Sequence, residues 1–364
     1  MNRKIRVAIV FGGQSTEHEI SILSARNVLA ALDRSRFEPL LIGIDKGGRW
    51  LMQDPDRLLA SARDPRLVRL EDGRPVSKDL IVPRGPGDAA GSIDVLFPVL
   101  HGTMGEDGTV QGLFELAGIP YVGAGVLGSA IGMDKDVSKR LLREAGIPVA
   151  DFVTLRRERF DIDPAGALAQ LGRLGLPVFT KPANAGSSVG IRKVTDAAAI
   201  EDAIRHAFQF DCKVLVEAAV TAREIELAVL GGNPPSVSVA GEIVVRHPDG
   251  FYSYDAKYID ESGARLELPA PLTADELTRA QAMAGRAFEV LECEGMARVD
   301  LFLRPDGTFL VNEINTIPGF TAISMYPKLW ELSGIAPAGL VSRLIDLALD
   351  RGRRRAALRR SMSD

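Results

Sequence analysis

The alternation of apolar and polar residues is strictest in two neighbouring runs near the carboxyl end of the chain. Residues 296–303 and 308–314 each alternate with a period of two, and the tetrapeptide R-P-D-G (304–307) separates them. A period of two is typical of a half-buried strand, and a short glycine-containing link between two such runs is typical of a hairpin. The pattern therefore predicts an antiparallel pair of strands.

The phase of this alternation places polar side chains together on the predicted hairpin. Arg298 and Asp300 share one face of the first strand, and Glu313 and Asn315 share one face of the second. Asp300, Glu313 and Asn315 offer oxygen ligands of the kind that magnesium takes when it also holds phosphate oxygens. Arg298 is suited to a phosphate or a developing oxyanion. The alternative is an edge hairpin whose charges are solvated.

Apolar runs that end in glycine-rich polar loops organise the first third of the chain. Residues 5–11 form a continuous apolar run, typical of a strand buried on both faces, and a helix and a further strand at 40–44 follow. A second unit has a strand at 94–100, a loop at 101–108 and a helix at 110–117. This pattern predicts a Rossmann-like α/β opening, but the adjacent glycines lack the dinucleotide fingerprint and exclude an NAD assignment.

Each of these two loops carries one candidate ligand-binding residue. Glu17 stands at the start of the first helix. Either it is only a helix-start residue whose carboxylate the helix dipole stabilises, or it anchors a substrate ammonium. His101 opens the second loop, where it either contacts a bound ligand or stabilises the turn. Between the two loops, residues 46–91 are rich in charge, Pro and Gly and predict an irregular or inserted surface segment.

The middle of the chain predicts a phosphate-binding loop between two strands. Lys181 ends a strand at 176–182, and the loop A-N-A-G-S-S-V-G (183–190) leads into the next strand. The lysine supplies charge and the loop supplies backbone N–H groups and hydroxyls, although the order differs from that of a P-loop and a mobile hairpin turn is the alternative. Glu217 and Glu224 lie on later strands, either as ribose contacts or as surface carboxylates.

Composition narrows the class of protein. A chain of 364 residues predicts two or three domains, and a net charge of -4 argues against a nucleic-acid binder. No apolar run approaches the length of a membrane span, no signal peptide is recognisable, and two cysteines without metal spacing fit a reducing compartment, so a cytoplasmic protein is expected. The six arginines of residues 351–360 predict a solvated or frayed helix end.

An ordered set of motifs across nearly the whole chain resembles the D-alanine:D-alanine ligase family of the ATP-grasp superfamily. The motifs are G-G-Q-S-x-E-H-E-I-S (12–21), H-G-T-M-G-E-D-G (101–108), M-D-K (133–135), K-P-A-N-A-G-S-S-V-G (181–190), Y-D-A-K-Y (254–258), R-V-D (298–300) and N-E-I-N-T-x-P-G (312–319). The resemblance implies α/β and α+β domains in an ATP-grasp fold. The implied domains are an N-terminal α/β substrate domain at 1–136, a central subdomain at 137–222 and a C-terminal subdomain at 223–364.

The resemblance also implies an activity and its ligands. One D-alanine is phosphorylated by ATP to an acyl phosphate, and the amine of a second D-alanine displaces phosphate to give D-alanyl-D-alanine for peptidoglycan precursors. The implied cofactor is Mg2+ or Mn2+, with two ions per site, and the implied assembly is a homodimer. Related enzymes that make D-alanyl-D-serine or D-alanyl-D-lactate are the close alternatives, and a nucleotide-binding regulator without catalysis is the distant one.

Roles implied by the resemblance fall on residues from every part of the chain. Those for the metal are Asp300, Glu313 and Asn315. Those for ATP are Lys135, Lys181, Ser188, Glu217 and Glu224. Those for catalysis are Glu17, Ser187, Tyr258, Arg298 and the backbone N–H of Gly319. Glu17, Ser187 and Tyr258 would form a hydrogen-bonded triad. Those for substrate are His101, Lys257, Ser324 and Met325. Residues 251–259 would form a lid, and Tyr258 favours the dipeptide over the D-lactate product.

Overall fold

The computed structural model describes most of the chain. The described residues are 3–62, 64–76, 93–232, 234–245 and 264–359. Two predicted site residues, Lys257 and Tyr258, lie outside them, as does the predicted lid at 251–259. Three sheets with flanking helices build the described part.

The first sheet confirms the Rossmann-like opening. Its spatial order is β3-β2-β1-β4, with β1 parallel to β2 and β4. The strands are β1 (Ile5–Gly12), β2 (Phe37–Ile44), β3 (Trp50–Gln53) and β4 (Val95–Pro98). Helix α1 (His18–Ala31) follows β1 as predicted, and its apolar side chains pack on the sheet. Because parallel strands end at the same edge, the loops after β1 and β4 meet there.

Part of the segment predicted as irregular is regular, so that prediction was wrong for residues 50–60. Strand β3 pairs antiparallel with β2, and helix α2 (Pro55–Ala60) follows it. The Asp54 carboxylate accepts the N–H groups of Asp56 and Arg57 and so caps α2, with Pro55 in the first turn. A four-residue strand and a six-residue helix are too short to show a hydrophobic period. The prediction of an irregular segment therefore rested on its charged residues, prolines and glycines alone.

The second sheet is antiparallel and has the order β5-β8-β6-β7. Its strands are β5 (Phe152–Arg156), β6 (Val178–Pro182), β7 (Arg192–Val194) and β8 (Lys213–Ala218). Its helices are α6 (Arg157–Ile162), α7 (Pro164–Ala169) and α8 (Ile200–Ala207), and the 3-10 turns Gln170–Arg173 and Ala197–Ala199 precede β6 and α8. Pairing of β6 with β8 sets Lys181 and Glu217 on neighbouring strands.

The third sheet contains the predicted hairpin. Its antiparallel strands lie in the order β11-β10-β9-β12-β13. They are β9 (Arg223–Gly231), β10 (Ser236–Val245), β11 (Ala264–Glu267), β12 (Gly295–Leu303) and β13 (Phe309–Asn315). Helix α9 (Ala274–Val290) packs on this sheet through small and aromatic side chains and begins with a Thr273–Glu276 capping box.

The remaining helices connect the sheets. They are α3 (Thr109–Leu116), α4 (Val126–Met133), α5 (Lys135–Glu144), α10 (Met325–Leu332) and α11 (Pro337–Ala356). One buried core joins the first sheet, the third sheet and α10 and α11. No single described helix is long and apolar enough to cross a membrane; α10 and α11 reach that length and composition only together, across a bend of 106°.

Helix α11 continues into the arginine-rich tail, and the prediction that this tail is a solvated or frayed helix end was wrong for Arg351. The Arg351 side chain is buried, and its guanidinium donates to the carbonyl oxygens of Tyr121 and Gly123, at 2.6 Å each. It also lies 3.3 Å from the Glu294 carboxylate. These backbone partners belong to residues more than 200 positions earlier in the chain, so the sequence of the tail alone does not predict them.

The distribution of the sheets along the chain is simple. The first sheet uses residues 5–98, the second 152–218 and the third 223–315. The domain boundaries placed after residues 136 and 222 stay predictions.

Candidate active site

One large cavity lies where the three sheets meet. Its volume is about 1340 Å³, and its walls come from the loops of the first sheet, from β6 and β8, and from the β12–β13 hairpin. Every predicted site residue within the described ranges lines it. These residues are Glu17, His101, Lys135, Lys181, Ser187, Ser188, Glu217, Glu224, Arg298, Asp300, Glu313, Asn315, Gly319, Ser324 and Met325. Their assigned roles stay predictions.

The register of the hairpin brings the four predicted polar side chains together, as the alternation of apolar and polar residues predicted. Arg298 pairs with Asn315 and Asp300 with Glu313, so the four side chains share one patch. The Arg298 guanidinium donates to both oxygens of Asp300 at 2.7 Å, and the Asn315 amide donates to Asp300 at 3.1 Å. A buried carboxylate thus already holds the arginine in a fixed orientation toward the cavity.

A second carboxylate also holds Arg298. Glu226, on the neighbouring strand β9, lies 3.1 Å from the Arg298 side chain and is 4% exposed. Burial alone would lower the pKa of Arg298, but Asp300 and Glu226 raise that pKa well above its usual range. Sequence reasoning assigned no role to Glu226. Its phase matched that of Glu224, but only the β9–β12 pairing brings it to the arginine.

The lysine-rich end of the cavity centres on Glu217. Its two carboxylate oxygens lie 2.6 Å from Lys181 Nζ and 2.8 Å from Lys139 Nζ. Burial raises the pKa of Glu217, but the two lysines outweigh burial and lower that pKa to about 2. Lys139 was missed from the sequence. The signal that could have found it is its spacing, one turn after Lys135 on α5.

The predicted phosphate loop closes against the first sheet. Lys135 begins α5, which Asp134 caps, and its Nζ donates to the Ala185 carbonyl at 2.7 Å. Ser187 and Ser188 adopt left-handed backbone angles, with φ of 49° and 59°. Non-glycine residues adopt this region at a cost, and such strain occurs often in ligand-binding loops. A bend of this kind turns successive N–H groups toward one side, as an anion requires.

The loop has little room at its contact with Glu17. A Cβ atom built on Gly186 would lie 3.1 Å from Glu17 Oε2, so only glycine fits without a shift. Glu17 stands at the N-terminus of α1, is 9% exposed and faces the cavity. Of the predicted triad, Glu17 and Ser187 therefore line one cavity, and Tyr258 lies outside the described residues.

A second buried carboxyl lies close to Glu17. Glu106, from the loop after β4, is 8% exposed and accepts the Gly102 N–H at 2.8 Å. Burial, reinforced by the nearby Glu17 carboxylate, raises the pKa of Glu106 to about 8. Glu106 lies within the motif at 101–108, but no role was predicted for it. A shifted pKa in a cleft is a mark of a functional region.

The remaining predicted substrate residues that the structure describes also line the cavity. Ser324 precedes α10, and its hydroxyl accepts the Thr321 N–H at 3.0 Å instead of capping the helix. Met325 is the buried first residue of α10. His101 is buried, with Nδ1 3.1 Å from the carbonyl oxygen of Ile317.

The metal-ligating chemistry of the described residues is limited to the hairpin. No group of three or more His, Cys, Asp or Glu side chains with the geometry of a metal site occurs in the described ranges. Asp300 and Glu313 supply two carboxylates and Asn315 an amide oxygen. That set suits a magnesium ion whose other ligands are phosphate oxygens and water, because magnesium is commonly bound through one or two carboxylates.

Comparison with known proteins gives one consistent answer. Residues 6–124 match the family model for the D-ala D-ala ligase N-terminus, and residues 141–346 match that for the D-ala D-ala ligase C-terminus. The chain is 51% identical to D-alanine--D-alanine ligase A of Chromobacterium violaceum, over 98% of this chain and 99% of that protein.

Solved structures agree with the family models. The D-alanine-D-alanine ligase from Coxiella burnetii superposes with a TM-score of 0.83 at 39% identity, covering 98% of this chain and 97% of that one. The VanG D-Ala:D-Ser ligase from Enterococcus faecalis superposes with a TM-score of 0.80 at 35% identity, covering 95% and 100%. The predicted ATP-grasp fold class is thereby confirmed.

Proposed function

The chain belongs to the D-alanine–D-alanine ligase family, and from that premise we propose that it joins two D-alanine molecules at the expense of ATP. The product is D-alanyl-D-alanine for peptidoglycan precursors, with ADP and phosphate released. One observation carries the proposal. A single cavity combines lysines for phosphates, a guanidinium beside metal-type ligands, and acidic side chains suited to a substrate ammonium.

The reaction has two steps that the cavity must serve in turn. First, the carboxylate of one D-alanine attacks the γ-phosphorus of ATP, and the bond to the bridging oxygen breaks to leave ADP. Second, the amine of the other D-alanine attacks the acyl phosphate carbonyl, the C–O bond to phosphate breaks, and the amine loses a proton. The first step brings a carboxylate to an anionic phosphate, and the second builds negative charge on the carbonyl oxygen, so cationic groups must offset this charge in both steps.

The nucleotide end provides that cationic charge. Lys135 and Lys181 hold phosphates, and Ser188 with its loop covers them. Glu217, whose carboxylate lies 2.6 Å from Lys181 Nζ, and Glu224 line the same cavity and contact the adenine and ribose portions of ATP. Lys181 and Lys139 both contact the Glu217 carboxylate, so this carboxylate holds two lysine side chains in place beside the phosphates.

Mg2+ or Mn2+, two ions per site, fits the hairpin ligands. Arg298 donates one hydrogen bond to each Asp300 oxygen and Asn315 donates a third, and a carboxylate has about four lone-pair directions, so Asp300 retains capacity for a metal. Glu313 and Asn315 complete the protein ligands. When bound, the metal would neutralise negative charge on the phosphates.

The amino-acid end provides anionic and oxyanion-binding groups. Glu17 binds the ammonium of the first D-alanine, with Ser187 beside it, and Arg298 and the Gly319 N–H stabilise the tetrahedral oxyanion. Ser324 and Met325 line the position of the second D-alanine, where His101 also contributes to the wall. The roles of Lys257 and Tyr258, in receiving the second carboxylate and in the triad with Glu17, belong to residues outside the described ranges.

Substrate identity is tested by phosphate release from Mg-ATP with D-alanine, D-serine, D-lactate and L-alanine, offered singly and in pairs, with products identified by mass. We expect release that requires D-alanine and yields its dipeptide. A mixed D-alanyl-D-serine product as the main species would place the chain with the D-serine enzymes. No release with any D-amino acid would reject the ligase assignment.

The metal assignment is tested by Asp300→Asn combined with Glu313→Gln. We expect turnover to fall by about a thousandfold or more, since the lost charge stabilisation is worth several kcal/mol. The matched control is Asp306→Asn in the exposed turn of the same hairpin, which keeps its bond to the Thr308 N–H and the parental rate. Parental turnover in the double variant, with an unchanged circular dichroism spectrum, would contradict the assignment of the metal to these residues.

The assembly is proposed to be a cytoplasmic homodimer. Two apolar side chains on neighbouring helices support it: Leu116 is 90% exposed and Leu127 60% exposed. Large exposed apolar residues that cluster often mark a protein interface. Sedimentation equilibrium at micromolar concentration is expected to give twice the chain mass, and a single species of chain mass would contradict the dimer.

A further inference from the structure

Three side chains from the first sheet and α1 bind the backbone of the loop that contains Gly319. The His101 ring nitrogen Nδ1 lies 3.1 Å from Ile317 O, Ser24 Oγ accepts the Phe320 N–H at 3.1 Å, and Asn27 Nδ2 donates to Phe320 O at 2.8 Å. The loop is thus held on both sides of Gly319 by residues more than 200 positions earlier in the chain.

The hydrogen bonds form a chain with one consistent direction. The Phe320 N–H donates to Ser24 Oγ, so the Ser24 hydroxyl hydrogen is available to His101 Nε2, 3.5 Å away. With Nε2 accepting, the ring proton lies on Nδ1 and donates to Ile317 O. Burial lowers the pKa of His101, which agrees with this neutral tautomer.

Packing leaves this arrangement little freedom. Ser24 is fully buried, and Ile317 and Phe320 are 3% and 5% exposed. The Phe320 ring meets Phe97 of the first sheet edge-on at 6.1 Å and lies 5.7 Å from the ring of Tyr326 in α10. The backbone of residue 319 is therefore placed by contacts from two parts of the fold.

We propose that Ser24 and Asn27 are positioning residues that hold the Gly319 N–H where the oxyanion forms, with His101 as their partner on the other side of the loop. The proposal rests on the proposed function of this cavity. Neither Ser24 nor Asn27 lines the cavity, so each acts through the loop and not on substrate. Ser24 also lies two helical turns after Glu17, so α1 links the predicted ammonium site to the oxyanion loop.

The expected consequence is a defect in one chemical step. An oxyanion donor acts on the tetrahedral species of the second step, and a displacement of about 1 Å can cost on the order of a hundredfold in rate. Phosphoryl transfer to the first D-alanine does not pass through that species. A loop that is only a structural support would not separate the two steps.

The test compares the steps in the full-length enzyme with Ser24→Ala and Asn27→Asp, which change little volume. The first step is followed by positional isotope exchange in oxygen-labelled ATP with one D-alanine bound, and the second by dipeptide formation. We expect exchange within about threefold of the parent and dipeptide formation reduced by about 10- to 100-fold, with KM for ATP unchanged.

The matched control is Ser333→Ala. The Ser333 hydroxyl also accepts a backbone N–H, from Val239 at 2.9 Å, and donates to Leu329 O at 2.8 Å, but it lies away from the cavity. Equal losses in exchange and dipeptide formation, or losses no larger than in Ser333→Ala at equal melting temperature, would overturn the positioning role. A parent enzyme without D-alanine-dependent exchange or dipeptide would instead reject the proposed function.

Discussion

Glu217 and Glu106 are buried carboxyl groups that line one cavity, and their surroundings shift their pKa values in opposite directions. Glu217 is 2% exposed between Lys139 and Lys181, and its pKa falls to about 2. Glu106 is 8% exposed near Glu17, and its pKa rises to about 8. Similar burial therefore leaves one group ionised and the other protonated at neutral pH.

The difference shows how the cavity is polarised before any ligand binds. Around Glu217, two lysine side chains contact one carboxylate, which suits the binding of phosphates. Around Glu106 and Glu17, two carboxyl groups lie close together, and a bound ammonium group would relieve the electrostatic cost. The charge of a buried side chain follows from its neighbours more than from its type.

Glu217→Gln is expected to have the largest effect because it leaves the buried Lys139 and the half-buried Lys181 without their shared carboxylate. Removing one member of a buried ion pair costs about 3–5 kcal/mol of unfolding free energy. Urea denaturation measures the loss. The control is Glu201→Gln, which breaks an exposed pair with Arg205 on α8 and should cost less than about 1 kcal/mol. Equal losses in the two variants would mean that burial of the lysine cluster is not what matters.

Arg351→Met extends the contrast to a buried cation outside the cavity. It removes the hydrogen bonds to the carbonyls of Tyr121 and Gly123 and the stacking of the guanidinium 4.4 Å over the Tyr121 ring. Leaving two carbonyls without their charged donor should cost about 2 kcal/mol. Arg354→Met, on the exposed side of the same helix, should change stability by less than about 0.5 kcal/mol. Deleting residues 351–364 should therefore destabilise the fold, and a deletion with parental stability would contradict this.

Glu106→Gln tests the protonated carboxyl through pH. A pKa raised from 4.5 to about 8 means that the folded parent binds a proton more tightly than the unfolded chain, so this group's contribution to stability falls as pH rises between those values. The fall is at most about 1.4 kcal/mol per pH unit. Between pH 6 and 7, without ligands, the unfolding free energy of the parent should therefore fall by about 1 kcal/mol more than that of the variant. Parallel curves for parent and variant would show that Glu106 is ionised.

Hydrophobic periodicity was enough to predict the hairpin and the grouping of its polar side chains. The period of two placed Arg298, Asp300, Glu313 and Asn315 on matching faces, and the observed register confirms this. The continuous apolar run at 5–11 correctly predicted a central parallel strand. These features could be predicted because local sequence determines which face of a strand a side chain occupies.

Long-range pairing could not be predicted in this way. Lys139 and Glu217 are 78 positions apart, on a helix and a strand whose packing no local pattern reveals. The Arg351 carbonyl partners and the Ser24 and Asn27 contacts to Phe320 are farther away still. Each depends on how the sheets meet, which is why these residues were missed or assigned to solvent.

The most direct test of a cavity divided into a phosphate end and an ammonium end is a crossed measurement of KM. Glu17→Gln and Lys181→Met are each assayed for the KM of the first D-alanine and of ATP. Losing one charged contact should raise the matching KM by about 10- to 100-fold. We predict that Glu17→Gln raises only the D-alanine value and Lys181→Met only the ATP value. Equal increases of both values in either variant would contradict the division.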